Sequence, residues 1–157
     1  MIVGHLQLEM KVRDCRRDDI PMILEIENLS FDDPFPESLF ISYLERFPNG
    51  FRVAVCNEKL SGYSILIPQE ERSTAIITSL AVHPKFKRQK IATKLLLDAF
   101  SIARRIQMPK ITLQVRVDNI AAQNLYSKLG FAKTGIIKDY YRKGLDAIEM
   151  RLLLELA

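Results

Sequence analysis

The segment that decides the fold is TSLAVHPKFKRQKIATKLL, residues 78–96. The apolar, β-branched run from Ile76 to Val82 predicts a strand, Pro84 predicts a turn, and a helix is predicted from about Ala92. The cations between strand and helix are Lys85, Lys87, Arg88 and Lys90. A strand, a basic turn and a helix start present unpaired backbone N–H groups and the positive end of a helix dipole, which suits a phosphate ligand. An ordinary strand-to-helix connection with a solvated basic loop explains the same pattern.

The composition indicates one globular domain, residues 1–157, with its core over about residues 10–154. Hydrophobic residues make up 48% of the chain, yet no stretch approaches the ~20 apolar residues that span a bilayer. The opening MIVGHLQLEM lacks a basic-then-apolar signal pattern. We therefore expect a cytoplasmic protein that has no membrane partner.

The net charge of +4 is modest, and the cations are spread along the chain. They cluster locally at Arg13–Arg17 and at Lys85–Lys90, and the second cluster suits a small polyphosphate ligand better than a nucleic-acid duplex. We therefore expect no nucleic-acid partner. The cysteines and histidines of the chain are Cys15, Cys56, His5 and His83. Because their spacing fits no metal site, we expect no metal and two reduced core thiols.

Hydrophobic periodicity predicts elements in the order β, α, α, β, β, β, α, β, α, β, β. The segment MKVRDC (10–15) predicts a strand, and Asp18 is expected to cap a helix through about Leu29. The segment SFDDPFPES (30–38) predicts a proline-broken aromatic loop. The other predicted elements of the first half are a helix from Ser38 to about Phe47, a hairpin of Phe51–Cys56 and Leu60–Pro68 around residues 57–59, and a strand over Ser73–Val82.

In the second half, a helix over Ile91–Arg105 is predicted from apolar residues at the helical period: Ile91, Leu95, Leu96, Ala99, Phe100 and Ala103. The alternation of KITLQVRV (110–117) predicts a strand with Gln114 and Arg116 on its polar face. The remaining predicted elements are a helix capped by Asn119, reaching Lys128 and ended by Gly130, and strands Ala132–Ile137 and Ala147–Leu154 around a long loop, DYYRKGLD (139–146). This order predicts a mixed α/β sheet. Neither G-x-G-x-x-G nor G-x-x-x-x-G-K-[ST] occurs, which disfavours nucleotide binding.

Three segments carry a resemblance to a known family. They are Leu80–Pro84 running into Lys87–Ala92, the pattern N-x-x-A-x-x-L-Y-x-x-x-G-F from Asn119 to Phe131, and DYYRKGLDAIEM (139–150). With the order of elements, they resemble the GNAT superfamily of acetyl-CoA-dependent N-acetyltransferases over about residues 10–154. The chain is most similar to N-terminal protein acetyltransferases, including ribosomal-protein alanine acetyltransferases and their archaeal relatives. The resemblance implies a mixed, mostly antiparallel sheet, splayed at the cofactor site, with helices on both faces.

The resemblance implies an acetyl-CoA site. In the family, a strand end pairs with the pantetheine arm, and a loop of pattern [QR]-x-x-G-x-[GA] holds the pyrophosphate. The positions that match are Leu80, Ala81, Val82, Lys87, Arg88, Gln89, Lys90, Ile91, Ala92, Thr93, Asn119 and Tyr126. Lys87 replaces the usual arginine or glutamine, and Lys90 replaces the usual glycine. We expect Lys90 to keep a negative φ and to turn its side chain outward, adding a cation to the site.

The implied reaction is direct attack of an amine on the acetyl-CoA carbonyl. The resemblance makes Tyr126 the general acid for the leaving thiolate, and a backbone N–H near Val82 could stabilise the oxyanion. A helix cap at Asn119 and an interior tyrosine are the structural alternative for the same pattern. The family's familiar bases, a glutamate at the position of Gln114 or a histidine at that of Ile76, are both missing. We expect Gln114 to orient a water. If an enzyme base is nevertheless detected, the candidates are Glu25, Glu27 and Glu37.

The missing base favours an N-terminal substrate. An α-amino group has a pKa of about 8 and a lysine side chain one of about 10.4, a difference of about 3.4 kcal/mol in the cost of deprotonation. The resemblance places the peptide near Phe31, Pro36, Glu37, Tyr140 and Tyr141, although aromatic loops also pack on their own domain. We expect protein N-termini, including those of ribosomal proteins, as partners, and a monomer or weak dimer. The alternatives are a GNAT enzyme acting on a small free amine or lysine, and a non-catalytic acetyl-CoA-binding or partner-binding domain.

Overall fold

The computed structural model describes residues 9–156. Within these residues, the strands and helices follow the predicted order. They are β1 (Met10–Asp14), α1 (Ile20–Ser30), α2 (Glu37–Arg46), β2 (Phe51–Cys56), β3 (Lys59–Gln69), β4 (Thr74–Val82), α3 (Ile91–Arg105), β5 (Lys110–Arg116), α4 (Ile120–Lys128), β6 (Ala132–Arg142) and β7 (Leu145–Leu153). His5 and most of the opening segment MIVGHLQLEM lie outside the described residues. No helix among the described residues is both long and apolar enough to cross a membrane.

The strands of the described chain form one sheet in the order β1-β2-β3-β4-β5-β7-β6. β4 and β5 run parallel, whereas β1–β2, β5–β7 and β6–β7 pair in antiparallel fashion. The predicted mixed, mostly antiparallel α/β sheet is therefore confirmed. The parallel pairing runs from Thr74↔Lys110 to Ile77↔Leu113, although β4 continues to Val82. The pairing thus ends midway along β4, as expected of a sheet that splays there.

Two compact units can be distinguished in the chain. The first comprises the residues up to Ser64 together with Leu80–Leu95, and the second comprises Ile65–Ser79 together with the residues from Leu96 onward. The single domain expected over residues 1–157 stays a prediction.

In the first unit, an aromatic cluster and a hairpin set the packing. The rings of Phe40, Phe51 and Tyr63 are fully buried, with centroids 5.8–6.3 Å apart. The chain turns between β2 and β3 at Asn57 and Glu58, whose φ angles of 48° and 68° are those of a two-residue hairpin turn. The predicted hairpin is confirmed.

In the second unit, alternate residues of β5 contribute to the core. Ile111, Leu113 and Val115 are at most 5% exposed, while Gln114 and Arg116 are half-buried on the other face. This pattern confirms the predicted faces up to Arg116, where β5 ends; the prediction is wrong for Val117, which is expected on the apolar face but is exposed. The whole length of β5 pairs with β7, from Lys110↔Leu153 to Arg116↔Ala147.

The predicted cap of α1 is wrong by one residue. A 3-10 turn covers Arg17–Asp19, and α1 begins after it. The carboxylate of Asp19 accepts hydrogen bonds from the Arg16 N–H at 2.7 Å and from the Arg13 guanidinium at 2.8 Å. The Asp19 carboxylate therefore stabilises the 3-10 turn before α1, and it accepts no hydrogen bond from the first turn of α1 itself.

The long loop predicted at DYYRKGLD is also wrong, because β6 extends to Arg142 and β7 begins at Leu145. Local hydrogen bonds extend the hairpin. Asp139 takes a φ of 54° in an irregularity of β6, its carboxylate accepts the Gly144 N–H at 2.7 Å, and its own N–H donates to Asp146 at 2.9 Å. Tyr140 and Tyr141 therefore lie on a strand.

Candidate active site

The cationic loop, residues 83–90, joins β4 to α3. Apolar side chains anchor it at Phe86 and at Ile91, the first residue of α3. Phe86 packs against the buried cluster of Ala54, Cys56, Ile91 and Leu95. The side chains of Lys85, Lys87, Arg88, Gln89 and Lys90 are exposed. The anchors hold the backbone in place, whereas the cations face solvent.

The backbone of this loop is left-handed at Arg88 and Lys90, with φ of 67° and 60°. The expected negative φ at Lys90 is therefore wrong, whereas its side chain is exposed as expected. Lys90 immediately precedes α3, and its carbonyl accepts a helical hydrogen bond from the Lys94 N–H at 3.1 Å. Glycine adopts this left-handed conformation without steric cost, whereas lysine does not.

The first turn of α3 is suited to an anion. The N–H groups of Ile91, Ala92 and Thr93 have no acceptor within the helix, because the first helical donors lack a preceding turn. The positive end of the helix dipole lies at the same place. Ala92 is small and Ala92 and Thr93 are half-buried, so backbone donors can be approached closely. With the exposed cations of the loop, this turn can bind a pyrophosphate.

The end of β4 is fixed from one side by β3. The His83 N–H donates to the Ser61 carbonyl at 2.7 Å, and Ala81 is 5% exposed. Gly62 of β3 faces Ala81, and a Cβ at Gly62 would lie 2.9 Å from the Ala81 carbonyl oxygen. Sequence reasoning missed Gly62, although a glycine inside a strand signals a close backbone approach.

On β5, Gln114 is half-buried and pairs directly with Glu149 of β7. Side chains of directly opposed residues lie on the same face of an antiparallel pair. Glu149 is also half-buried, and its carboxylate accepts a hydrogen bond from the Thr134 hydroxyl at 3.1 Å. Sequence reasoning missed Glu149. The polar residue within the apolar run of DAIEM was the available signal, but the pairing of β7 with β5 was needed to use it.

Helix α4 begins as predicted. The Asn119 side chain caps it by accepting the Ala122 N–H at 3.1 Å, and Gly130 follows it with a φ of 107°. Gln123, which is 5% exposed, donates to the carbonyls of Arg116 at 3.1 Å and Val117 at 2.9 Å. This residue, which sequence reasoning also missed, ties α4 to the end of β5.

Tyr126 lies on α4 with its ring against Phe131, at 5.8 Å between centroids, and Phe131 in turn contacts Phe100 of α3 at 5.8 Å. Burial raises the pKa of Tyr126 to about 12. The phenol is therefore protonated throughout the neutral range, which is the state that a proton donor requires.

Tyr140 and Tyr141 form an edge-to-face pair with ring centroids 4.9 Å apart. Their exposed fractions are 49% and 37%. Burial raises the pKa of Tyr141 to about 12, and the nearby hydroxyls of Tyr140 and Tyr126 add to the shift, whereas Arg116 opposes it. Tyr126 therefore lies close enough to Tyr141 to affect its pKa, so the second unit brings the candidate proton donor near one member of an exposed aromatic pair.

The segment between α1 and α2 presents Phe31 and Pro36 to solvent, and Glu37, the first residue of α2, is also exposed. A peptide-binding role requires such exposure. A buried carboxylate supports it: Glu27, 2% exposed, accepts the Phe35 N–H at 3.2 Å and the Tyr63 hydroxyl. Burial raises the pKa of Glu27, and the two donated hydrogen bonds oppose the shift. Glu27 therefore holds this segment in place. Of the three glutamates named above as candidate bases, Glu25 and Glu37 are exposed and Glu27 is buried.

Cys15 and Cys56 are both buried and free, as predicted. Burial raises the pKa of the Cys15 thiol to about 12. Within residues 9–156, no three histidine, cysteine or acidic side chains form a group that could hold a metal ion.

Comparisons with known proteins agree with this geometry. The model of the acetyltransferase (GNAT) family matches residues 20–131. An N-alpha-acetyltransferase of Saccharolobus solfataricus is 31% identical over 154 residues, which cover 90% of this chain and 92% of the relative. A putative [ribosomal protein bS18]-alanine N-acetyltransferase of Bacillus subtilis is 33% identical over 150 residues, covering 92% and 96%. The crystal structure of Ard1 from Thermoplasma volcanium superposes with a TM-score of 0.88 at 25% identity, covering 93% and 98%.

Proposed function

Because the chain belongs to the GNAT acetyltransferase family, we propose that it transfers the acetyl group of acetyl-CoA to the N-terminal α-amino group of proteins. The observation that carries the proposal is the cationic loop at the start of α3, where exposed cations lie beside helical N–H groups that have no acceptor within the helix, an arrangement that suits a pyrophosphate. The N-alpha-acetyltransferase relative, aligned over nine-tenths of both chains, supports the choice of an N-terminal amine.

In this proposal, acetyl-CoA binds through the residues that the family pattern indicates. The backbone of Leu80, Ala81 and Val82 pairs with the pantetheine arm. The loop and helix start, Lys87–Thr93, bind the pyrophosphate, and Asn119 contacts the cofactor in addition to capping α4. No metal takes part.

The chemistry needs three groups. The amine nitrogen attacks the thioester carbonyl, and the backbone N–H near Val82 stabilises the developing oxyanion. Tyr126, which holds its proton at neutral pH because burial raises its pKa to about 12, gives that proton to the leaving thiolate. Gln114 orients a water that accepts the amine proton. An α-amine costs about 3.4 kcal/mol less to deprotonate than a lysine, so the site favours N-termini.

The peptide is bound by five exposed residues, which are Phe31, Pro36, Glu37, Tyr140 and Tyr141. The Bacillus subtilis relative is named for ribosomal protein bS18, and ribosomal-protein N-termini are therefore included among the proposed substrates.

The test is acetylation of a peptide library that varies the first two residues. The controls are peptides with a blocked N-terminus and one internal lysine, and free polyamines. Transfer to N-termini alone supports the proposal. Transfer mainly to lysine or to polyamines would establish the small-amine or lysine alternative. Calorimetric binding of acetyl-CoA without turnover on any amine would establish a non-catalytic binding domain.

A further inference from the structure

Glu149 occupies the position across the sheet from Gln114. The two residues are directly opposed in the antiparallel pairing of β7 with β5. Opposed Cβ atoms lie about 4.5–5.5 Å apart on the same face. A carboxylate on β7 therefore reaches the neighbourhood that a side chain on β5 at position 114 reaches, and glutamate and glutamine are of equal length.

The surroundings of Glu149 leave its carboxylate accessible. On β6 the residue opposite is Gly135, and a Cβ at that position would have no heavy atom within 4 Å. The Thr134 hydroxyl, 3.1 Å from a carboxylate oxygen, fixes the side chain from one side. Open space on the β6 side of an oriented, half-buried carboxylate suits the release of a proton to solvent.

The same face carries positive charge. Arg116 of β5 and Arg151 of β7 lie two residues from Gln114 and Glu149, and side chains two apart share a face of a strand. Arg116 is paired with Asp118 at 2.9 Å. On β5 and β7, the charged side chains two positions from Gln114 and Glu149 are therefore cations, one of which is paired with Asp118.

We propose that Glu149 is the proton acceptor for the substrate amine, acting through a water held between its carboxylate and the Gln114 amide. The assignment rests on the proposed function, since it requires an amine nucleophile. The substrate ammonium gives one proton through the water to Glu149, and the neutral nitrogen then forms the N–C bond. When the C–S bond breaks, Tyr126 protonates the thiolate and is reprotonated by the second amine proton. The net proton leaves Glu149 for solvent.

This inference explains why Gln114 need not be the base. The carboxylate of Glu149 lies on the neighbouring strand at the same level of the sheet as Gln114. Glutamine at position 114 keeps the ability to hold a water and avoids a second negative charge directly opposite Glu149, which would be unfavourable.

The central experiment is Glu149→Gln, measured with an N-terminal peptide substrate of the wild-type enzyme. We expect kcat to fall about 10²-fold, the lower range for general-base assistance, with little change in either KM. The deficit should narrow at about pH 9.5, where the free α-amine needs no acceptor; a purely structural defect would persist. Adding Gln114→Glu in the same chain returns a carboxylate to this face and should recover most of the lost rate.

Two further variants separate proton transfer from packing. Thr134→Val keeps the branched shape but removes the hydroxyl, so it should lower kcat by several-fold only. Glu155→Gln makes the same chemical change at an exposed position and should leave kcat unchanged. Wild-type kcat in Glu149→Gln at neutral pH would overturn the inference, as would a loss that Gln114→Glu fails to recover. Failure of the proposed function is distinguishable, because the wild-type enzyme itself would then acetylate no N-terminus.

Discussion

The cationic loop before α3 and the segment Asn119–Gly130 around α4 solve a similar backbone problem with different residues. At α4 the start is capped by an asparagine side chain at 3.1 Å, and the end is followed by a glycine with a φ of 107°. At α3 the residue before the helix also has a positive φ, of 60°, but it is Lys90. One region uses residues with low conformational cost, and the other places a long cationic side chain where glycine is favoured.

The difference separates local stability from function. A left-handed conformation costs a non-glycine residue roughly 1–2 kcal/mol. Arg88 and Lys90 both adopt it, and both carry exposed positive charge next to the first turn of α3. A residue that breaks a local rule at a site suited to an anion is expected where binding, and not folding, has determined its identity.

The largest effect that tests the comparison is expected at Tyr126, the chemical group of the α4 segment. Tyr126→Phe keeps the ring against Phe131 and removes only the hydroxyl. We expect kcat to fall about 10²-fold with KM little changed, because general-acid assistance is lost only in the transition state. Steady-state kinetics with an N-terminal peptide measure both quantities.

The pH profile adds a second check on Tyr126. With its pKa raised to about 12, the phenol keeps its proton throughout the neutral range. The wild-type rate should therefore rise with pH near 8, as the substrate amine loses its proton. It should show no fall from loss of the Tyr126 proton below about pH 10. Tyr43→Phe, on α2, is the matched control. A Tyr126→Phe enzyme with wild-type kcat would remove Tyr126 from the mechanism.

The same contrast explains which features the sequence predicts. The α4 segment obeys local rules, so its cap, length and terminating glycine follow from Asn119, the periodicity and Gly130. The six apolar positions predicted for α3 are all buried for the same reason. The order of elements, and from it the sheet, follows from such segments.

What the sequence does not predict depends on contacts between distant residues or on a broken local rule. The positive φ of Lys90 could not be predicted from conformational propensity, because lysine disfavours the left-handed region. Glu149 gains its meaning only from the β5–β7 register, and Glu27 only from its bonds to Phe35 and Tyr63. The extension of β6 to Arg142 rests on side-chain bonds of Asp139 that compete with the loop pattern of the same residues.

A smaller effect is expected at Gly130, where the α4 segment uses its glycine. Gly130→Ala should lower the free energy of unfolding by about 1–2 kcal/mol, because the new Cβ must accept the positive φ. The added atom would also lie 3.0 Å from a terminal carbon of Leu152. Denaturant unfolding monitored by circular dichroism measures the change.

Gly144→Ala is the control for Gly130. Its φ is 83°, and a Cβ there would have no heavy atom within 4 Å, so only the backbone cost remains. The difference between the two variants gives the packing contribution at Leu152. Unchanged stability in Gly130→Ala would show that this helix end tolerates a side chain, and the contrast with Lys90 would disappear.

The smallest effect is expected for Lys90→Gly, because two contributions nearly cancel. Glycine relieves roughly 1–2 kcal/mol of left-handed cost and adds about 0.5–1 kcal/mol of unfolded-state entropy. The free energy of unfolding should therefore rise by about 0–1.5 kcal/mol. Lys87→Gly removes the same charge where φ is already −65°, so it should be neutral or destabilising.

For acetyl-CoA, calorimetry at low salt should give several-fold weaker binding for both variants, converging with wild type at high salt as the charges are screened. Equal unfolding effects at the two positions would show that Lys90 bears no conformational cost, and affinity equal to wild type at low salt would show that its charge does not contribute to cofactor binding.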